Sequence, residues 1–155
     1  MSYDQTIDAV TRLLDPTGPR GFEGLIAKLM EVLTKQRFFL ALSGSQGGKD
    51  LGSQSRSGNA LAVECKRYRD KTTLSIESLI SKLHQVSIAP ITPDAWILVT
   101  TKRLGQQHYE QLTLFGKGAG IECIFIDTEG GAESNLIALL SVAPEIVADY
   151  LERFG

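Results

Sequence analysis

Residues Trp96 to Thr100 form an unbroken apolar run, the pattern of a strand buried on both faces. Such a strand needs cover above and below, and its neighbours supply it. Residues 105 to 115 have a helical pattern, and Ile121 to Ile126 is a second apolar strand. Two strands separated by a helix are expected to lie parallel. Upstream, Leu74 to Val86 is amphipathic with a helical period. Ala60 to Cys65 alternates, with Leu61 and Val63 set against Ala62 and Glu64, and reads as a strand. Arg56-Ser57-Gly58-Asn59 before it has hairpin-turn chemistry, and Asp50 to Ser53 is the partner segment. Phe38 to Leu42 reads as a further short strand.

Two helices come first. Tyr3 to Leu14 carries Ile7, Val10, Leu13 and Leu14 at helical spacing, and Asp15-Pro16-Thr17-Gly18-Pro19 ends it. A second helix begins near Gly21, with an apolar stripe through Phe22, Leu25, Ile26, Leu29, Met30 and Leu33. Asn135 to Ser141 and Glu145 to Phe154 close the chain as helices. The order predicts an α/β fold, a central mixed β-sheet flanked by helices. The 155 residues suit one domain, 1–155, which buries roughly two-thirds of its unfolded surface without a disulfide or structural metal. No apolar run is long enough to span a membrane, and the polar start Met1-Ser2-Tyr3-Asp4 predicts no signal peptide. Cys65 and Cys123 sit in strand-like runs without zinc spacing, which predicts buried free thiols in a reducing cytoplasm.

The formal net charge of -2 does not announce a nucleic-acid partner, but the charge is uneven. Between positions 49 and 71 lie Lys49, Arg56, Lys66, Arg67, Arg69 and Lys71, opposed by Asp50, Glu64 and Asp70. A local basic patch can hold phosphates on a slightly acidic molecule.

Glu64 and Lys66 are two apart on one strand, so they point to the same face while Cys65 points to the other. Asp50 stands at the start of the strand expected to pair with them. Two adjacent carboxylates repel unless a cation lies between them, and hard oxygen ligands suit Mg²⁺ or Mn²⁺. A lysine beside such a site can orient water or hold a phosphate oxygen. Glu64-Cys65-Lys66 alone reads first as a solvated strand end with an ordinary ion pair. Asp50 across the predicted turn brings a metal site level with that reading. Gly44-Ser45-Gln46-Gly47-Gly48-Lys49 is not a phosphate loop: its spacing is one residue short, and Asp50 follows the lysine. His84 and His108 are lone histidines without a partner at ligand spacing.

Three pieces carry a family resemblance: Gly21-Phe22-Glu23, Gly47-Gly48-Lys49-Asp50-Leu51-Gly52, and Ala62-Val63-Glu64-Cys65-Lys66-Arg67-Tyr68. In this order and setting the chain resembles the restriction-endonuclease-like PD-(D/E)xK nucleases, Mrr-like branch. The resemblance spans residues 21 to 100; residues 1 to 20 lie outside it, and beyond 100 only the helix–strand alternation continues. Lys49 stands where proline names the motif, and Glu64 where many Mrr-like members carry glutamine; neither removes a needed group.

The resemblance implies an αβββαβ core and a metal-dependent endonuclease hydrolysing DNA phosphodiester bonds, in restriction, defence or repair. It implies that Asp50 and Glu64 bind Mg²⁺ or Mn²⁺ and that Lys66 serves the attacking water. Glu23 matches an acidic position that often completes such sites, although an acid in a first helical turn is also favoured by the helix dipole. Gln85 matches a polar position near the same centre, although an ordinary exposed glutamine is the first reading of it. Lys49, Arg56, Arg67 and Arg69 are candidates for the DNA backbone. No separate reader domain is evident, so the chain is expected either to cut with little sequence preference or to depend on a partner or a fused domain for targeting, as the effector end of a longer protein or as a homo-oligomer. A nucleic-acid-binding module of the same fold without turnover is the alternative.

Overall fold

The computed structural model describes residues 2–40, 51–54, 60–68 and 74–155. The chain runs α1 (Tyr3–Leu13), α2 (Phe22–Thr34), β1 (Arg37–Leu40), β2 (Leu51–Gln54), β3 (Leu61–Lys66), α3 (Ile76–Ser87), β4 (Ala95–Thr100), α4 (Gln106–Ala119), β5 (Glu122–Ile126), α5 (Asn135–Leu140) and α6 (Pro144–Phe154). The strands form one five-stranded sheet in the order β1-β2-β3-β4-β5. β1 and β2 are antiparallel, as are β2 and β3. β3, β4 and β5 are parallel, which the intervening helices α3 and α4 permit. This is the expected α/β architecture, a mixed sheet with helices against it.

Local chemistry sets the helix starts. At α1 the Ser2 hydroxyl accepts from the Gln5 N–H at 3.3 Å, and the Gln5 side chain accepts from the Ser2 N–H at 2.8 Å. This reciprocal cap satisfies two donors that helical bonding leaves over. Ser75 and Ser134 cap α3 and α5 through their hydroxyls. Pro144 opens α6, where its missing N–H costs nothing.

Two cores follow from the alternation of the strands. On one face Val63, Cys65, Ile97 and Val99 pack against Phe22, Leu25 and other residues of α1, α2, α5 and α6. On the other face Ala62, Trp96 and Leu98 pack against Leu79, Leu83, Val86 and Leu112 of α3 and α4. All six residues of β4 are buried, as its continuous apolar run requires. β3 differs from its half-polar pattern: Ala62, Val63, Glu64 and Cys65 are all buried. The cause is the second core, which covers the face that bears Glu64. Among the described residues, no helix is long and apolar enough to cross a membrane.

Candidate active site

Strand β3 carries the described part of the predicted centre. Glu64 and Lys66 lie on the α3/α4 face of the sheet, the face of Ala62, and pair in register with Leu98 and Thr100 of β4. The Lys66 Nζ lies 3.0 Å from Glu64 Oε1. The Glu64 side chain is 1% exposed and that of Lys66 21%. Burying a carboxylate carries a desolvation penalty of several kcal/mol, which a close cation offsets. This is therefore a buried charge pair with its ammonium toward solvent, rather than a solvated ion pair at a strand end.

Asp50 lies outside the described residues, as do Lys49, Arg56 and Arg69. The nearest described neighbour of Asp50 is Leu51, which pairs with Val63, the residue before Glu64. Among the described residues no three His, Cys, Asp or Glu side chains form a metal-holding group.

Glu23 sits in the first turn of α2 and is buried. Its Oε1 accepts from the Gly18 N–H at 2.8 Å, so it helps close the turn between α1 and α2. α2 belongs to the layer over Val63 and Cys65, across the sheet from the Glu64 side chain. Arg67, expected at a phosphate, is committed elsewhere in part: its Nη1 donates to the Thr11 C=O at 2.5 Å. That carbonyl is in the last turn of α1, where helical bonding leaves acceptors over and positive charge is favoured. Gln85 lies on the exposed side of α3.

The two histidines have structural explanations. His108 Nδ1 accepts from the Gly105 N–H at 3.1 Å, so its Nε2 bears the proton and donates to the Leu74 C=O at 3.0 Å. His84 is exposed and meets the Phe115 ring edge-on at 6.0 Å. Cys65 and Cys123 are free thiols, the first buried and the second half-buried.

Sequence reasoning passed over the carboxyl ends of the parallel strands. Thr101 follows β4, and its hydroxyl accepts from the Tyr68 N–H at 3.0 Å and donates to the Tyr68 C=O at 3.1 Å. Asp127 follows β5 and is buried, accepting from the Leu104 N–H at 2.8 Å and the Tyr109 hydroxyl at 2.5 Å. Burial first, and then the Asp127 hydrogen bond, push the Tyr109 hydroxyl well above the usual tyrosine range. A polar residue directly after a buried parallel strand is the signal that would have marked these positions, because such strand ends collect ligands and loop anchors. The chain matches no family model, no curated protein and no solved structure.

Proposed function

We propose that the chain is a Mg²⁺- or Mn²⁺-dependent endonuclease domain of the restriction-endonuclease-like, Mrr-like kind, hydrolysing DNA phosphodiester bonds. One observation carries this reading: the chain neighbour of Asp50 is paired with the chain neighbour of Glu64, beside a buried Glu64–Lys66 pair. The order α2-β1-β2-β3-α3-β4 also supplies the helix, three strands, helix and strand that the resemblance implies.

In this reading Asp50 and Glu64 hold the divalent cation, while Glu23, across the sheet and bonded to the Gly18 N–H, closes the turn before α2 and is not one of the set. The Asp50 and Glu64 carboxylate oxygens are the hard donors that such a cation takes. A bound Mg²⁺ or Mn²⁺ would supply the Lewis acid that polarises the phosphate and acidifies water. Lys66 is no ligand, because a protonated amine has no lone pair to give. It neutralises Glu64 in the chain by itself, and donates to the attacking water or a phosphate oxygen once Glu64 is neutralised otherwise. Water attacks phosphorus in line and the opposite P–O bond breaks, with charge developing where Lys66 can stabilise it. Lys49, Arg56 and Arg69 are the proposed backbone contacts; Arg67 contributes mainly by fixing α1.

The test incubates purified protein and its Glu64→Gln variant with supercoiled plasmid, in Mg²⁺, in Mn²⁺ and in EDTA. Nicked or linear product from the parent in either metal, and from neither EDTA nor the variant, is the expected result. Equal product with and without EDTA rules the mechanism out.

A further inference from the structure

The described residues line an open-sided cavity of about 570 Å³ between α1 and the carboxyl ends of β3 and β4. One wall is a single face of α1, with Asp4, Asp8, Thr11 and Arg12 at helical spacing. The other is Tyr68 after β3 and Lys102 after β4. Hydrogen bonds fix both walls. Thr101 ties the two strand-end loops together through both backbone groups of Tyr68. Arg67 joins α1 to the end of β3 through the Thr11 carbonyl. The volume falls in the range of small-ligand sites, roughly 300–1,000 Å³. The position, beyond the carboxyl ends of adjacent parallel strands, is where open α/β sheets take ligands.

We propose that this cavity is a subsite for one nucleotide of an unpaired strand, with its base against Tyr68, its amino edge at Asp4 and its phosphate at Arg12 and Lys102. The proposal rests on the nuclease reading above and adds to it where the flanking nucleotide goes and which bases it favours. Tyr68 lies two residues past Lys66, at most about 7 Å of extended chain, so the cavity begins at the end of the strand that carries Lys66.

The lining chemistry selects the ligand class. A bare phosphate would meet two carboxylates as well as two cations, and an apolar ligand would desolvate all four charges. A nucleotide has a use for each kind. Its phosphate is anionic, its base stacks on an aromatic ring, and cytosine and adenine present an exocyclic amino donor that an aspartate can accept from. Asp8 is engaged with the Arg12 guanidinium at 2.8 Å, which leaves the base edge to Asp4. Thymine lacks that amino group, so the site discriminates against it. The base must be unpaired, because stacking on a side chain requires it to leave its own stack.

The test measures binding of fluorescent oligo-dC and oligo-dT of equal length in EDTA, by anisotropy, to the parent chain and to Asp4→Ala and Tyr68→Ala variants. Oligo-dC should bind about five-fold or more tightly than oligo-dT. Asp4→Ala, on an exposed helix position, removes the acceptor and should abolish the preference for oligo-dC over oligo-dT. Tyr68→Ala should weaken both about five-fold or more. Tyr68 also packs against the α3/α4 core, so Asp4→Ala decides the matter if the tyrosine variant fails to fold. Equal affinity of the parent for both oligomers, or an unchanged preference in Asp4→Ala, overturns the subsite. Plasmid cleavage in Mg²⁺, run in parallel, separates the two ideas. A dC preference without cleavage keeps the subsite and removes the nuclease reading; cleavage without a preference does the reverse.

Discussion

Lys66 is the residue on which binding and catalysis part. It stands 3.0 Å from a buried carboxylate and is itself one-fifth exposed, so it can serve both Glu64 and a substrate at the surface. Lys66→Ala should lower single-turnover cleavage at saturating DNA by about 100-fold or more, the size expected for a positioned electrostatic or proton-transfer group. Cleavage by a well-folded variant at the parental rate would show that Lys66 takes no part in the reaction. Arg67, one residue on, should behave differently. Its hydrogen bond to the Thr11 carbonyl is charge-assisted, and bonds of that kind contribute about 1.5–3 kcal/mol. Arg67→Ala should therefore reduce unfolding free energy by that order in a urea titration. If stability is unchanged and only DNA affinity falls, Arg67 is a phosphate contact rather than a fastener for α1.

Among the elements, α2 has a tightly constrained start. Glycine is a poor helix former, and exchanging it for alanine in a helix ordinarily adds about 1 kcal/mol of stability. At Gly24 the sign should reverse. A Cβ there would stand 2.0 Å from the Pro19 carbonyl oxygen, a backbone atom that cannot swing aside. The turn from 15 to 19 crosses directly over the first turn of α2, and the Gly24 N–H donates to the Gly18 carbonyl at 3.1 Å. Gly24→Ala should cost about 1–3 kcal/mol in denaturant unfolding, the range for overpacking. A gain in stability would mean that the crossing is looser than it stands here. The same crossing holds the Glu23 carboxylate against Gly18, so the variant also reports on the geometry of that acid.

Across the whole molecule, groups held in their neutral forms bear on stability at alkaline pH. Burial, and then the neighbouring Glu122 carboxylate, push the Cys123 thiol from 9.0 up to about 11. Burial also raises the Tyr150 hydroxyl, with the Asp149 and Glu31 carboxylates adding to it. In each case the fold favours the protonated, neutral form. At pH below 9 the thiol is protonated in both folded and unfolded chains, and its contribution to stability is complete. Above that the unfolded chain loses its proton first, so stability falls until the folded thiol also ionises near pH 11. The melting temperature should therefore drop between pH 9 and 11, and more gently in Cys123→Ser, which has no thiol to ionise. Parallel declines for the two proteins would show that the thiol has no part in it.

Sequence alone determined the order of elements and the side of β3 on which Glu64 and Lys66 stand. Both are consequences of backbone periodicity, which is local: alternate residues of a strand share a face, and apolar residues at helical spacing form one stripe. It also indicated the antiparallel partner of β3 through Arg56-Ser57-Gly58-Asn59, and the parallel pairing of β4 and β5 through the helix between them. What lies over each face is a question about residues far away in the chain, and only the tertiary structure answers it. Glu64 is buried because α3 and α4 cover the face that alternation alone would have left to water. Arg67 meets Thr11, 56 positions earlier, because α1 folds back onto the end of β3. The cavity at that end exists only because Asp4 and Lys102, nearly a hundred residues apart, face each other across it. No spacing in a linear chain records such a meeting, since it depends on how the layers are stacked and not on the period within any one of them.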